Sequence, residues 1–435
     1  MSVLYIVHCI DTEGPLEETL AGTFERLRQE KGIDYDTSME ILIKLQRQEI
    51  DLSGREQEIQ DYLAPKRLAY LDSWNQVEKM ILSVTSEEFR YKFADPKGNP
   101  YTFSWFVVDT VGYKDNPRRK AVGFHVIWDQ YQRFLKGRLL NDTFGWHFHT
   151  VPVNGHALHY NTCWTNNDWH EQAVARRLLE RRSFPSLFRA GGAIERIDSS
   201  FWLEQFIPFD YSCASLENND FQPGEMMDWR LAETNWGAYH PCFYDYRRKG
   251  RMNRFLLRCL DIDSNHHSLT SEEVEKAFTQ VESGSSTILS YSCHDRRDIR
   301  PKIESVHSMI KEVSKKYPHV EWVYANAQEA VQKCYLAGEY KPINFTCSLV
   351  ENTLFIESNE KLFGPHPFLA VQEGDFFYRD NVTMEGEKSW AYKMVRPDSI
   401  NKIGIAGSNP AGDVGLVILN FDEGIEQECL QGKNR

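Results

Sequence analysis

At 435 residues, 41% of them hydrophobic, the chain is long enough to bury one large core and a smaller one. A formal net charge of -13 at pH 7 excludes the basic footprint of a dedicated nucleic-acid binder or of a protein held by charge to an anionic membrane. The nine cysteines are odd in number and include no C-x-x-C pair, which fits neither a disulfide framework nor a thiolate zinc site. No apolar run reaches the ~18 residues of a membrane span, and the N-terminal run has neither the basic start nor the cleavage site of a signal peptide. These features predict a cytoplasmic protein without a transmembrane segment.

Residues 3–10 are apolar, β-branched and aromatic, and Gly14-Pro15 follows soon after, so they predict a buried strand. From about 17 to 90 the texture becomes charged and helix-forming, with apolar residues at helical spacing, and predicts a helical insertion. A turn at "DPKGNPY" leads to a second strand in "YTFSWFVVDT", a helix around 125–138 and a third strand in "FGWHFHTVP". Next come a helix near 168–182, the strand "SLFRAGG", a helix near 198–207 and "FDYSCAS". Beyond 270 the sequence alternates helix "SEEVEKAFTQVES", strand "STILSYSCHD", helix "IESVHSMIKEVSKKY", strand "VEWVYAN" and helix "AQEAVQKCYL". Strand-then-helix alternation predicts parallel strands with crossover helices, in an open sheet or a barrel. After about 337 the helices stop, and short alternating segments parted by Gly, Asn and Pro predict a β-sandwich of roughly 100 residues. The expected organisation is an α/β domain over 1–335 and a β-rich domain over 336–435.

Polar residues gather where the predicted strands end. Asp11 and Glu13 are two apart and share a face while the chain stays extended, at the end of a parallel strand where ligands bind. A cation would relieve their repulsion; a solvated turn would do so as well. His147 and His149 repeat that spacing one strand later, and with carboxylates they would make a mixed nitrogen and oxygen site for zinc or a similar divalent ion. Arg189 leaves its strand beside two glycines, which allow close backbone approach, and an arginine there could hold a carboxylate in a fork or make a surface pair. His294 and Asp295 end a late strand, where the histidine is a candidate general acid or a core histidine. The loop "WGAYHPCFYDYRRKG", with Arg247, Arg248 and Lys249, suits an anionic sugar, a nucleotide diphosphate or, more simply, water.

In this order the motifs resemble those of the polysaccharide deacetylase (NodB-homology) superfamily, and "IDTEGP" resembles the D-T-E subgroup associated with surface-polysaccharide biosynthesis. "GWHFHTVP" stands where that superfamily has its histidine motif, "FRAGG" loosely where its arginine motif lies, and "LSYSCHD" where its last histidine lies. The resemblance implies a distorted (β/α) barrel over 1–335 and a metal-dependent carbohydrate de-N-acetylase acting on carbon-nitrogen bonds of a saccharide substrate. It implies a divalent metal, zinc by preference, on Glu13, His147 and His149, with Asp11 as base, Arg189 fixing Asp11 and His294 as acid. Asp210 or Asp295 would orient His294, and a backbone N–H near Tyr211 would help hold the oxyanion. The departures leave alternatives: Asp11 in place of Glu13 as ligand, and His156 or His159 in place of His149, because Val151 stands where the family has its second histidine. Two rivals remain, a hydrolase of the same fold acting on another C–N or glycosidic bond, and a degenerate barrel that binds a saccharide. Oligomeric state is open.

Overall fold

The structure is a computed structural model and describes residues 2–156, 163–217, 229–262, 268–421 and, as backbone, 426–432. Its strands begin with β1 (Val3–Thr12), β2 (Ser104–Val108), β3 (Thr143–Phe148), β4 (Leu187–Ala190) and β5 (Phe209–Cys213). They continue with β6 (Ala238–Tyr239), β7 (Phe255–Asp261), β8 (Thr287–His294) and β9 (Glu321–Tyr324). Seven of them, in the order β2-β3-β4-β5-β7-β8-β1, are parallel, and pairing of β1 with β2 closes them into a barrel. That closure is partial: β1 pairs with β2 from Cys9 to Thr12, while from Val3 to Ile6 the same edge pairs with β9. The barrel is thus zipped where β1 ends and wedged open by β9 where β1 begins.

Period-2 alternation fills the lumen. Val7 and Cys9 of β1 meet Leu187 of β4, Phe209 and Tyr211 of β5, Leu257 and Cys259 of β7 and Ile288 of β8 in one buried cluster. Continued by two residues along their strands, these rows reach Asp11, Arg189 and Asp261, and on β8 the same alternation ends at His294. The apolar floor and the polar mouth are therefore one pattern. Strand β7 was not predicted.

Of the helical stretch after β1, the first part builds a small core of its own from Phe24, Leu27, Leu42, Leu45, Ile59 and Leu63. The helix Trp74–Val84 instead packs Val77, Met80, Ile81 and Val84 into the main barrel core, so it is the β1–β2 crossover and not an insertion.

Beyond the helix Ala327–Tyr335 the chain forms two antiparallel sheets, whose strands are β10 (Phe345–Val350), β11 (Thr353–Ser358), β12 (Phe368–Glu373), β13 (Phe376–Asp380), β14 (Thr383–Gly386), β15 (Ser389–Lys393), β16 (Lys402–Ser408), β17 (Val414–Asn420) and β18 (Glu426–Gly432). One sheet runs β10-β11-β15-β14 and the other β13-β12-β16-β17-β18. The second is buried on both faces. Leu369, Val371, Ile403, Ile405, Val417 and Leu419 face the first sheet, whereas Phe368, Ala370, Ala406, Leu416 and Ile418 join Leu178, Leu179, Trp202 and Phe206 of the barrel helices. Small residues on the barrel side set the spacing, since a Cβ on Gly404 would meet Leu178 Cγ and Leu179 Cδ2 at 2.9 Å. Gly404→Val should overpack this seam at about 1–3 kcal/mol and lower Tm in one cooperative transition; a calorimetric trace with the sheets melting separately would contradict the shared core.

Candidate metal centre

The mouth is organised by register. Asp11 of β1 is the Cα partner of His294 of β8, and His147 of β3 is the partner of Arg189 of β4. Side chains at matched positions of neighbouring strands point the same way, so these four converge over the lumen. Arg189 spans it: Nε donates to Asp11 Oδ1 and Oδ2 at 2.8 and 3.0 Å, Nη1 to Tyr211 O at 2.8 Å and Nη2 to Ser292 Oγ at 2.9 Å. Burial favours a neutral Asp11, yet Arg189, helped by His147 and His294, holds its carboxyl below the usual carboxylate range.

Glu13, just beyond β1, is 4% exposed. Its Oε2 accepts from Lys120 Nζ at 3.0 Å and Arg296 Nη1 at 2.9 Å. Burial opposes its ionisation, but Lys120 and Arg296, with His149, hold it well below the usual range. Its Oε1 is buried without a hydrogen-bond partner among the described residues and faces His149 Nε2 at 3.3 Å. His147 Nδ1 donates to Arg189 O at 2.9 Å, and burial above all depresses this imidazole to about 4, so it is neutral with its lone pair on Nε2. That Nε2 lies 3.0 Å from His149 Nε2. Glu13, His147 and His149 thus offer three ligand atoms within 4.8 Å of one another. Two imidazoles and one orphaned carboxylate oxygen fit a divalent ion of zinc type, with a second interaction orienting each of Glu13 and His147.

His149 owes its place to Gly191: a Cβ there would meet the His149 ring at 2.5 Å, which is the close approach that the glycines after Arg189 predict. His156 is not in the cluster; it lies 3.7 Å from Asp115 and 3.9 Å from Glu25. His159 lies outside the described residues.

His294 Nε2 faces Asp11 Oδ2 at 3.8 Å and Glu13 Oε1 at 3.7 Å. The carboxylate beside its Nδ1, at 3.6 Å, is Asp261, at the end of the unpredicted β7. "FLLRCLD" carries the same signal as the other strands, apolar alternation ending on a polar residue. Neither carboxylate expected to orient His294 does so. Asp295 accepts from the Glu13 and Gly14 N–H groups at 2.8 and 2.9 Å and from Tyr131 at 2.6 Å, and burial pushes it up to about 6. It fixes the turn that presents Glu13.

Asp210 lies apart, with Glu195 and Arg254, all fully or nearly fully buried. Tyr211 serves the site through its carbonyl, which accepts from Arg189 and anchors it, while its hydroxyl donates to Ala327 O. In the basic loop Arg247 pairs with Asp245 at 2.8 Å and Lys249 with Glu233 at 3.3 Å, while the Arg248 and Lys249 side chains stay exposed.

No family model and no curated protein matches the chain. One solved structure, from Parabacteroides distasonis and described as a "putative glycoside hydrolase/deacetylase", aligns over 99% of this chain and 86% of that chain at 8% identity and a TM-score of 0.38.

Gly191→Ala should push His149 aside and weaken zinc binding by about 10–100-fold with little change in Tm, as measured by chelator competition. Burial holds the Glu195 and Asp210 carboxyls above their ordinary values, so the fold keeps a proton that the unfolded chain gives up above a pH of about 4.5. Stability should therefore fall as pH rises from there toward the raised folded value, and Glu195→Gln should flatten that slope in urea midpoints taken at several pH values.

Proposed function

We propose that the barrel is a metal-dependent hydrolase that removes the acetyl group from an N-acetylated sugar or glycan. The observation that carries this reading is the flanking of one three-ligand cluster by an ionised carboxylate, Asp11, and an imidazole, His294, on register-matched positions. A divalent ion bound by Glu13 Oε1, His147 Nε2 and His149 Nε2 would supply Lewis-acid polarisation of the acetamido carbonyl and a more acidic water. The rest falls to the chain. Asp11 takes the water's proton, and Arg189 keeps that carboxylate ionised and aimed. His294 gives a proton from Nε2 to the departing amine, with Asp261 beside Nδ1 stabilising the protonated ring. The buried walls around Asp11 exclude bulk water and strengthen each of these charge interactions.

The assignment of Glu13 as ligand and Asp11 as base is supported by their partners: Arg189 engages both oxygens of Asp11, whereas Glu13 keeps Oε1 turned toward the histidines. Glu13→Ala should lose zinc and acetate release together. His294→Ala should keep full zinc content while kcat falls about 10²–10⁴-fold. Metal analysis and acetate assay of both variants check this, and equal metal loss in the two would overturn the roles. Release of reducing ends without acetate would favour the glycosidic reading.

A further inference from the structure

We infer that Ser292, buried between the two halves of the site, is a positioning residue: Arg189 holds its hydroxyl, and the hydroxyl directs Asp261 and, through Asp261, the His294 ring. This role deepens the proposed function and rests on it for the amine that His294 serves. Ser292 is fully buried on β8, two residues before His294 on the same face of that strand, and it is the Cα partner of Asp261 on β7. On one side its Oγ accepts from Arg189 Nη2 at 2.9 Å; on the other it donates to Asp261 Oδ2 at 3.4 Å. That Oδ2 is the oxygen that faces His294 Nδ1 at 3.6 Å. Asp11, Arg189, Ser292, Asp261 and His294 therefore form one continuous line of side chains from the base to the acid.

What each group can give sets the direction of the bonds. A guanidinium has only protons to offer, so Ser292 must accept from Arg189, and its single proton is left for a carboxylate. Arg189 is tied by Nε to Asp11 and by Nη1 to Tyr211 O, so the hydroxyl it holds is presented from a fixed point. Asp261 ends β7 with its side chain 18% exposed, and a bond from a fully buried donor ties its carboxylate back to the barrel interior. The length of that bond suits a contact that shortens as His294 takes up charge beside Oδ2, since catalytic hydrogen bonds are often long before substrate binds. Ser290, two residues earlier on the same face, shows the contrasting use of a lumenal serine: its hydroxyl donates to the Arg258 carbonyl, a backbone contact within the barrel wall. Ser292 instead engages side chains of the site on both sides.

The test uses the zinc-supplied full chain and reads the ring before the reaction. Nitrogen NMR spectra of the imidazoles are recorded at one fixed pH, the His294 signals being those missing from His294→Gln. In Ser292→Ala the His294 Nδ1 signal should move in the direction that it moves in Asp261→Asn, with the His170 signals in place, and Ser292→Thr, which keeps the hydroxyl, should restore it. Should the smaller side chain leave the barrel unstable, Ser292→Cys fills the space with a weaker donor and should move the signal the same way. An unmoved His294 ring in a folded, zinc-loaded variant overturns the role. Acetate release from tetra-N-acetylchitotetraose is then followed as a double-mutant cycle. Ser292→Ala should lower kcat about 10-fold at unchanged KM and zinc content, and in the Asp261→Asn background it should change kcat by no more than about twofold. Equal losses in the two backgrounds would mean that the serine does not act through Asp261, which also overturns the role. A moved ring without acetate from the wild type leaves the positioning role standing and removes the deacetylase reading.

Discussion

The pair between Arg189 and Asp11 is the constraint on which the mouth of the barrel depends. Asp11 is buried at the centre of the lumen, where an unpaired carboxylate would be costly, and Arg189 reaches it from β4 while bonding β5 and β8 with its other nitrogens. One side chain therefore ties β1, β4, β5 and β8 around a single charge. Breaking such a buried pair from one side costs about 3–5 kcal/mol, so the side chain that prepares the chemistry also holds the strands in place. Its backbone contributes too, since the Arg189 carbonyl fixes the tautomer of His147.

Around that pair the two carboxylates of "DTE" are separated by their surroundings and not by chemistry of their own. Asp11 meets a guanidinium on both oxygens; Glu13 meets two cations on one oxygen and histidines on the other. A site in which neighbouring acids have such different partners can divide labour between holding an ion and moving a proton. Asp295, which is committed to backbone N–H groups, sets the turn that makes the separation possible.

Much of this was legible in the sequence. The strand ends at Asp11, His147, Arg189 and His294 stood out because apolar β-branched and aromatic runs stop abruptly on polar residues, and the glycines after Arg189 marked a close approach whose object, His149, only the fold reveals. Strand β7 escaped although "FLLRCLD" ends its apolar run on Asp261, because Arg258 stands inside that run and Arg254 just before it. Arg258 is buried nonetheless, paired with Glu273 at 2.6 and 2.7 Å and stacked 4.4 Å over Trp236. With that strand went Asp261. Reach along the chain also misled: Asp295 adjoins His294 in sequence, but successive strand residues point to opposite faces, so the partner of the imidazole comes from the next strand. The clamp of Lys120 and Arg296 on Glu13 joins residues more than a hundred positions apart in loops, where no periodic signal exists.

The doubly buried sheet of the C-terminal part has a consequence for modularity. A segment that begins where the helices end looks like an appendage that recombination could add or remove. Yet β12, β16 and β17 give one face to their sister sheet and the other to Leu178, Leu179, Trp202 and Phe206. Cutting the chain near 336 would leave that apolar surface of the barrel bare to solvent and inclined to self-associate. Loss of the sheets would therefore be tolerated only with polar replacements at Leu178, Leu179, Trp202 and Phe206 on the barrel helices that they cover.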